Sequence, residues 1–311
     1  TGSSLDELST LEGVTEVAKR YYEWTDSLTP DIPDDGKAFY GRDSMSNYFV
    51  IGMKQMGVEL FDVKDGEVTI QADKDKVRRL WDNYYVPFVN GYFAGLGKFR
   101  SDDVKTGDIL AYTGSIASSM YFPDQVITDD GRRDIGYIVM QPPVFEGGER
   151  INVQQGASMA VTKSDEQHEY AACEFLKWFT RKENNLRFGC ESAYLPVRKD
   201  ANTIEALDEV IKENGLNVSD KAYQCMKSIL GNYDDIHFYT TKSFENGYAA
   251  RKILDYDLSD KAAEDKEKVD ELVAGGMSRA EAAAAFTTEE AFEQWYEQWY
   301  TKLNETAHGN K

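Results

Sequence analysis

Cysteine is scarce in this chain of 311 residues, which contains only Cys173, Cys190 and Cys225. Three cysteines cannot all pair within one chain, so a disulfide framework does not organise the fold. Cys173 and Cys190 could form a single bridge, and the sequence leaves this open. Because Cys173 falls on the apolar face of a predicted helix, we expect a buried free thiol at that position.

Histidine is equally scarce, and the common catalytic motifs are missing. No two of His168, His237 and His308 have metal-ligand spacing, so we expect neither zinc nor any other metal. The chain has no GxSxG, no phosphate-binding loop with a lysine and no GxGxxG after a strand, and we predict no cofactor. Adjacent carboxylates such as Asp102 and Asp103 occur, but 55 acidic residues produce such pairs by chance. The sequence predicts a protein that is not an enzyme.

Long hydrophobic runs and positive charge are also lacking. No apolar stretch approaches the roughly 18 residues of a membrane span, and the first residues do not have the pattern of a signal peptide. We interpret the start as a processed N-terminus. Lys and Arg total 35 against 55 Asp and Glu, which gives a formal net charge of −20. This charge argues against nucleic acid or an anionic membrane as a partner.

Hydrophobic residues make up 41% of the chain, which is enough for a sizeable core and for two domains. The first half alternates strands and helices. Helices are predicted at 45–56 and from Asp73 onward, and a hairpin is predicted around Asp65 and Gly66 because Asp-Gly is a strong turn signal. Strands are predicted at 37–40, 60–63, 68–70, 109–113 and 135–140. A Pro-Pro pair ends the last of these and indicates an interdomain crossing.

A strand, a helix and an extended exit follow each other in the middle of the chain. A buried strand is predicted at 153–162. Ser164 is the expected N-cap of a helix in which Phe175 and Phe179 recur at helical spacing, so one face of this helix should be buried. A second helical piece follows, and Pro196 fixes the extended exit.

The remainder of the chain is predicted to be mostly helical. Helices are expected at 204–213, 219–230, 243–256, 257–271, 278–286 and 288–304, with an aromatic-rich loop at 232–241. The helix at 257–271 is dominated by charge and should be solvated. Phe292, Trp295 and Trp299 recur three or four positions apart in the last helix. Such a stripe is typical of a packing face and not of a ligand box.

Several strings of this sequence occur in the order found in one family. QQGASMAVTKS is a strand entry that ends in Thr-Lys, EYAACEFLKWFT is a helix, and SAYLPVRKDA is an extended exit. TGDILAYTGSIASSMYF is similar to a glycine-bounded strand near a cleft, although Ile116 stands where the family has tryptophan. Together these strings resemble extracellular solute-binding proteins of the sugar type, the maltose-binding-protein-like family 1 that serves ABC importers.

The resemblance implies an α/β fold, periplasmic-binding-protein-like (type II), with two lobes and a helix-rich C-terminal part. Residues 1–139 and 197–311 would form the second, C-terminal lobe, and residues 140–196 would be a segment of the first, N-terminal lobe. The chain would cross between the lobes near 140 and 196. The family opens with a strand-helix series that has no counterpart here, so we expect an N-terminally truncated fold.

The resemblance also implies a substrate-binding protein of an ABC transporter, which captures a sugar or oligosaccharide between the lobes and delivers it to the membrane subunits. Such a protein is a monomer and is extracytoplasmic, either as a cell-surface lipoprotein or in the periplasm. Two alternatives stay open. One is a carbohydrate-active enzyme, and the other is a protein-interaction module that uses the aromatic C-terminal helix. Which sugar is bound depends on hydroxyl geometry that the sequence does not reveal.

Five polar residues are candidates for contact with the ligand. Asp43, Ser46 and Asn47 come after the first strand, and they either face the ligand or cap the following helix. Gln154 and Gln155 lie where the resemblance places a crossing at the cleft. Two adjacent amides are unusual in a core strand, and planar amides both donate to and accept from hydroxyl groups. We therefore expect one of the two glutamines to face the ligand.

Serines and aromatic residues in predicted loops or at the ends of elements supply six further candidates: Ser115, Ser118, Tyr121, Tyr194, Tyr239 and Phe244. Aromatic rings suit the flat apolar face of a sugar. Tyr121 could instead have a packing role, and Tyr194 could pack against Pro196. Tyr239 and Phe244 fall where the resemblance places an aromatic wall, but Phe244 is near a helix start and could belong to the core.

Overall fold

The computed structural model of the protein describes residues 2–129, 131–156 and 158–309. The α-helices are α1 (Leu11–Asp26), α2 (Met45–Gln55), α3 (Lys74–Asp82), α4 (Tyr85–Val89), α5 (Arg100–Thr106), α6 (Glu166–Phe179), α7 (Lys182–Ser192), α8 (Ile204–Asn214), α9 (Asp220–Leu230), α10 (Gly247–Ala274), α11 (Arg279–Ala284) and α12 (Glu289–Ala307). The strands are β1 (Tyr40–Arg42), β2 (Phe61–Lys64), β3 (Glu67–Ile70), β4 (Ala111–Thr113), β5 (Gln125–Thr128), β6 (Gly131–Asp134), β7 (Ile151–Val153) and β8 (His237–Tyr239). No helix in these described ranges is long and apolar enough to cross a membrane.

Local sequence signals account for several elements, and the predictions of α2, α3, α8 and the β2–β3 hairpin are confirmed. Asp65 and Gly66 have φ angles of 53° and 87°, the two positive values that a two-residue hairpin turn favours. The Asp73 side chain accepts a hydrogen bond from the backbone N–H of Lys76 and caps α3. Gly215 ends α8 in the left-handed conformation, with a φ of 57°.

The main hydrophobic core lies around α10, which packs against α2, α4, α11 and α12. Four residues of α10 recur every four positions and are fully buried: Ala250, Leu254, Leu258 and Ala262. One stripe of this long helix therefore faces the core. Aromatic rings fill the space between the helices, as in the stacked pair of Phe49 on α2 and Trp299 on α12, whose ring centroids are 5.4 Å apart.

Two smaller clusters lie outside the main core. Leu186, Leu207 and Met226 are buried together where α7, α8 and α9 meet. Val104 and Ile109 form the centre of another cluster beside α5 and β4. The apolar residues are thus divided among separate packing units, and the largest unit carries α2 and α10.

The strands form two parallel pairs and two antiparallel hairpins. β1 pairs with β4, with Arg42 opposite Thr113, and β7 pairs with β8, with Val153 opposite Tyr239. β2 and β3 form one hairpin, and β5 and β6 form the other. α2 begins just after β1 and runs alongside β7 in the opposite direction, since its first turn contacts the residues after β7 and its last residue contacts the start of β7. The carboxyl ends of β1 and β7 therefore both lie at the start of α2.

The structure corrects several strand predictions. The strand predicted at 153–162 is wrong, because β7 ends at Val153 and residues 154–156 and 158–162 are exposed and outside any helix or strand. The strand predicted at 135–140 is also wrong, and the β5–β6 hairpin that precedes it was not predicted. The predicted strand at 37–40 is displaced to β1. β8 lies inside the predicted aromatic loop, and it is a strand only through its pairing with β7, which is distant in sequence.

The prediction that one face of the helix after Ser164 is buried is wrong. α6 forms as expected, but its N-cap is Asp165 and not the predicted Ser164, and none of its residues is buried. Phe175 is 52% exposed and Trp178 is 49% exposed. The expected buried thiol at Cys173 is exposed, and all three cysteines are free, so no bridge joins Cys173 to Cys190. Periodicity predicted the helix correctly but did not determine what covers its apolar side.

Two expectations for the C-terminal part also changed. The helices predicted at 243–256 and 257–271 are one continuous helix, α10, and its charged half is not simply solvated because Ala262, Asp265 and Val269 are buried. The packing face predicted on the last helix is confirmed, since Trp295 and Trp299 of α12 are buried in the main core. An interaction module that uses this stripe to hold a partner is therefore excluded.

Candidate ligand-binding site

The polar residues predicted to contact a ligand follow the carboxyl ends of the parallel strands. The backbone N–H of Asp43, just after β1, donates to Thr113 O at the end of β4 at 2.9 Å. The backbone N–H of Gln154, just after β7, donates to Tyr239 O at the end of β8 at 2.8 Å. Ligands of open α/β proteins bind in the crevice outside the carboxyl ends of the strands. The strand geometry therefore favours this edge as the site.

An amide pair joins two of the predicted residues across the start of α2. Asn47 Nδ2 donates to Gln155 Oε1 at 3.0 Å, and Gln155 Nε2 donates back to Asn47 Oδ1 at 3.3 Å. Gln155 is exposed and Asn47 is half-buried. Each amide is planar and can donate and accept at once, which matches the hydroxyl groups of a polar solute. Gln154, the neighbouring candidate, is also exposed.

Arg251, which was not predicted, completes this group from the second turn of α10. Its Nη2 donates to Ser46 Oγ at 2.8 Å and to Asn47 Oδ1 at 2.9 Å. One turn further along α10, Asp255 Oδ1 accepts the backbone N–H of Ser46 at 2.8 Å. Ser46 is only 1% exposed, so its part in this arrangement is to fix the start of α2 against α10. Asn47 is left at the surface, oriented by Arg251.

Asp43 is held by the beginning of α5. Its Oδ1 accepts the backbone N–H of Arg100 at 3.2 Å, and the Arg100 guanidinium pairs with Asp103 at 2.7 Å. Burial raises the pKa of the Asp43 carboxyl group. A Cβ added to Gly114 would lie 2.7 Å from Ser118 Oγ and 3.2 Å from Asp43 Oδ2. A side chain at position 114 would therefore force the side chains of Ser118 and Asp43 to shift.

The loop after β4 forms a 3₁₀ helix at Ile116–Tyr121, which Ser115 caps by accepting the Ser118 N–H at 3.3 Å. The Ser118 hydroxyl donates to Ser115 O at 2.6 Å, so both serines are engaged within the loop. Tyr121 is 76% exposed. Of the three residues predicted here, Tyr121 presents the surface that a ligand could contact.

The rings of three predicted aromatic residues lie away from the group formed by Asn47, Gln155 and Arg251. Tyr194 contacts Phe188 of α7, with ring centroids 6.2 Å apart. The Tyr239 hydroxyl donates to Glu59 Oε1 at 3.1 Å, and burial raises the pKa of that phenol. Phe244 packs against Phe61 in the main core, with ring centroids 5.2 Å apart. The structure therefore does not bring these three rings to the amide pair.

Two exposed tyrosines beside Arg251 were missed by sequence reasoning. Tyr248 is 78% exposed and Tyr256 is 52% exposed, and the ammonium group of Lys252 lies 5.4 Å and 5.1 Å from their ring centroids. Residues three or four apart on a helix are neighbours, so Tyr248 adjoins both Arg251 and Lys252. The available signal was the repeat of tyrosine, lysine and tyrosine at intervals of four in a predicted helix.

The group is an open surface and contains no enclosed metal site. Within the described ranges, no set of three His, Cys, Asp or Glu side chains is placed to hold a metal ion. A surface depression of about 650 Å³ lies elsewhere, between residues 135–139 and α9, and is lined by Tyr137, Asp220 and Lys227. None of the residues that follow the parallel strands lines this depression, so we do not assign it to the same site.

Parallel strands with polar residues gathered at their carboxyl ends are the arrangement at which open α/β proteins bind ligands. The sequence profile of the bacterial extracellular solute-binding protein family matches residues 4–217, which is well over half of the chain. The chain belongs to this family. The family confirms the resemblance inferred from the sequence strings, and it confirms the expected extracytoplasmic location.

Solved structures agree with this fold. The chain is similar to the cyclic alpha-maltosyl-1,6-maltose binding protein from Arthrobacter globiformis, with a TM-score of 0.50 and 15% identity, over 94% of this chain and 64% of that chain. It is also similar to a "putative oligosaccharide periplasmic-binding protein" from Synechococcus sp. MITs9220 in complex with zinc, with a TM-score of 0.47 and 15% identity, over 96% of this chain and 69% of that chain. Comparison with curated proteins gives no match.

The chain thus spans less than two thirds of the length of the Arthrobacter protein. At 15% identity, this likeness concerns the fold alone. The predicted α/β, periplasmic-binding-protein-like fold is confirmed by the family and by this neighbour.

Proposed function

We propose that this protein is the substrate-binding component of an ABC transporter, and that it captures a sugar or oligosaccharide at the carboxyl ends of the parallel strands and delivers it to the membrane subunits. Membership of the extracellular solute-binding family supports this proposal. The Arthrobacter protein of similar fold binds an oligosaccharide, which supports the choice of solute.

The observation that carries the proposal is the group formed by Asn47, Gln155 and Arg251. These residues come from three distant parts of the chain and meet at the start of α2. The two amides hydrogen-bond to each other. An incoming hydroxyl group can therefore replace one of these hydrogen bonds with a hydrogen bond of its own to the amide. Tyr121 and Tyr248 add exposed rings, and aromatic rings suit the apolar face of a sugar.

The proposal includes two lobes that close around the ligand. Residues 1–139 and 197–311 would form the second lobe, and residues 140–196 would be a segment of the first. Support comes from α6, which has no buried residue within the described chain. Phe145 lies inside this proposed segment but is fully buried in the main core, so we propose that the first crossing follows β7 instead of lying near residue 140. Ligand contacts made to both lobes would exist only in the closed state and would favour closure.

We propose binding without chemical conversion and a monomer anchored as a lipoprotein or released in the periplasm. A glycosidase needs two carboxyl groups that flank one bond. Asp43 and Asp255, the carboxylates described at this edge, accept backbone N–H groups of Arg100 and Ser46. Both therefore have structural partners that fix neighbouring elements, which supports a binding role.

A thermal-shift screen of the purified full-length protein against monosaccharides and oligosaccharides tests this function. A ligand that binds only the folded state raises the Tm by mass action. We expect one saccharide class to raise the Tm, and we expect the double variant Asn47→Ala/Gln155→Ala to lose about thirtyfold in affinity because two hydrogen bonds of about 1 kcal/mol each are removed.

The matched control is Asn217→Ala, which removes an exposed amide in the loop between α8 and α9. It should bind as the unaltered protein does. A Tm shift that decays over hours while the saccharide is consumed would favour the carbohydrate-active enzyme instead. If no saccharide shifts the Tm of the folded protein, the proposed function is wrong.

A further inference from the structure

Arg251 of α10 contacts the amide pair, and neither it nor the next residue, Lys252, has a carboxylate partner within the described chain. Among the described residues, no carboxylate oxygen lies within 4.0 Å of the charged nitrogens of Arg251 or Lys252. Arg251 is held at one end only, since Nη2 donates to the neutral oxygens of Ser46 and Asn47. These two contacts fix the orientation of the guanidinium group, and its other N–H groups can still reach a ligand.

The two carboxylates already described near the start of α2 have other partners. Asp255 lies one turn from Arg251 and accepts the backbone N–H of Ser46 at 2.8 Å. Asp43 accepts the backbone N–H of Arg100 at 3.2 Å. The Arg251 guanidinium group is therefore hydrogen-bonded to neutral oxygens and forms no direct ion pair among the described residues.

The net charge of the chain does not oppose a local anion site. The formal charge is −20, but charges separated by more than about 8 Å are largely screened at physiological ionic strength. A ligand at the start of α2 would respond mainly to the charges nearby, which are the cations Arg251 and Lys252 and the carboxylates of Asp43 and Asp255, each of which already accepts a backbone N–H group. An acidic group would gain a charge-assisted hydrogen bond there, which is stronger than a bond between neutral partners.

Lys252 extends this positive surface along the helix. Its ammonium group lies over the rings of Tyr248 and Tyr256, and the hydrogen bond with Tyr256 raises the pKa of the amine. Lys252 therefore remains charged at neutral pH. The exposed tyrosine rings on either side offer apolar faces to sugar rings while the cations face their substituents.

We propose that the site selects saccharides that carry an acidic group, a carboxylate or a sulfate, and that Arg251 is the residue that determines this selectivity. This inference rests on the proposed function, and it adds the class of sugar. Asn47 and Gln155 contact hydroxyl groups, Arg251 contacts the acidic substituent, and Lys252 contributes a second positive charge. Arg251 also positions Asn47 through their hydrogen bond, so its loss should weaken neutral ligands slightly. Acidic ligands lose the charged contact as well and should be weakened far more.

Calorimetry and thermal shift on the full-length protein test this selectivity with matched ligand pools. The pools are oligogalacturonides, the same pool after carboxyl reduction, sulfated oligosaccharides, and the same pool after desulfation. We expect an acidic pool to raise the Tm more than its neutral counterpart, and the carboxylated and sulfated arms identify which acid is preferred. Arg251→Gln should weaken binding of the acidic pool about ten- to hundredfold, because a charge-assisted hydrogen bond is lost.

Three comparisons keep this test independent of folding. Lys252→Gln alters an exposed side chain and should weaken acidic binding by a smaller factor. Arg133→Gln removes the same charge from the exposed β5–β6 hairpin and should have no effect. Binding of a neutral saccharide by Arg251→Gln, at a Tm close to that of the unaltered protein, shows that the variant is folded.

The outcomes separate this inference from the proposed function. Equal Tm shifts with acidic and neutral pools, or equal losses for both in Arg251→Gln, would overturn the acidic selectivity while leaving sugar binding intact. A folded protein whose Tm responds to none of the pools and to no other saccharide would overturn both.

Discussion

Asp265 illustrates how opposing effects on one buried carboxyl group are resolved. The residue is 3% exposed, and burial alone would raise its pKa. Lys261 and Lys268 each approach its oxygens at 2.7 Å, and the Tyr85 hydroxyl donates to Oδ2 at 2.6 Å. These hydrogen bonds prevail, and the pKa of Asp265 lies below its usual value. The charged form therefore stabilises the contact between α10 and α4.

Asp265→Asn should lower the free energy of unfolding at pH 7 by about 1–3 kcal/mol, because hydrogen bonds to a charged acceptor become bonds to a neutral one. A lowered pKa in the folded state stabilises the protein above the unfolded pKa, and this contribution is lost as the pH falls through the folded value. The difference between the two proteins should therefore shrink below about pH 4.

Urea unfolding of both proteins at pH 7, 5, 4 and 3 measures this difference. Subtracting the free energy of unfolding of the variant from that of the unaltered protein removes the contribution of the other carboxyl groups, which the two proteins share. A difference that stays constant over the whole range would show that the charge of Asp265 does not contribute.

The three polar residues after β1 show how much of the site the sequence could predict. Their position after a strand correctly indicated Asp43, Ser46 and Asn47 as neighbours of the strand ends. Their different roles depend on partners that are far away in sequence: Arg100 for Asp43, and Arg251 for Ser46 and Asn47. No local pattern specifies these pairings, so the sequence could give the candidates but not their exposure.

At the scale of elements, α6 and α12 have similar apolar periodicity and opposite environments. Both helices carry aromatic residues at intervals of three or four. Phe292 of α12 is 2% exposed within the main core, whereas Phe175 of α6 is 52% exposed. Periodicity therefore identifies a helix with an apolar side, and tertiary packing decides whether that side is covered.

We expect Phe292→Ala to lower the free energy of unfolding by about 3–5 kcal/mol, because it removes buried surface and leaves a cavity. Phe175→Ala should change it by about 0.5 kcal/mol or less, since exposed substitutions outside special features have small effects. Urea unfolding of the two variants beside the unaltered protein provides the comparison. A large loss in Phe175→Ala would mean that the apolar side of α6 is covered in solution.

Strands were harder to predict than helices for a physical reason. β1, β4, β7 and β8 have only three residues each, too few for an alternating pattern to emerge. β8 exists through its pairing with β7, in which His237 lies opposite Ile151, 86 positions earlier in the chain. Tertiary packing and not local propensity determines such a strand. The β2–β3 hairpin was predictable because its Asp-Gly turn is encoded locally.

At the scale of the whole molecule, the net negative charge opposes the compact folded state. The formal net charge is −20, and several of the ion pairs, such as Lys177 with Glu174, are on the surface where each contributes little. Repulsion among the excess carboxylates therefore opposes folding over longer distances than these pairs span.

Raising the ionic strength should therefore stabilise the protein. Between about 10 mM and 150 mM salt the screening length falls from about 30 Å to about 8 Å, which weakens the repulsion more than the short ion pairs. We expect the Tm to rise by a few degrees in sodium chloride and equally in potassium chloride. A Tm that falls with both salts would show that the attractive pairs outweigh the net charge.

The exposed stretch at 158–164 connects Gln155 of the site to α6 and contains neither helix nor strand. Exposed segments of this kind tolerate inserted domains better than packed elements do. A circularly permuted fluorescent protein placed within it would sit a few residues from the amide pair. The segment thus offers an attachment point for an optical biosensor, in which occupancy of the proposed site would be converted into light.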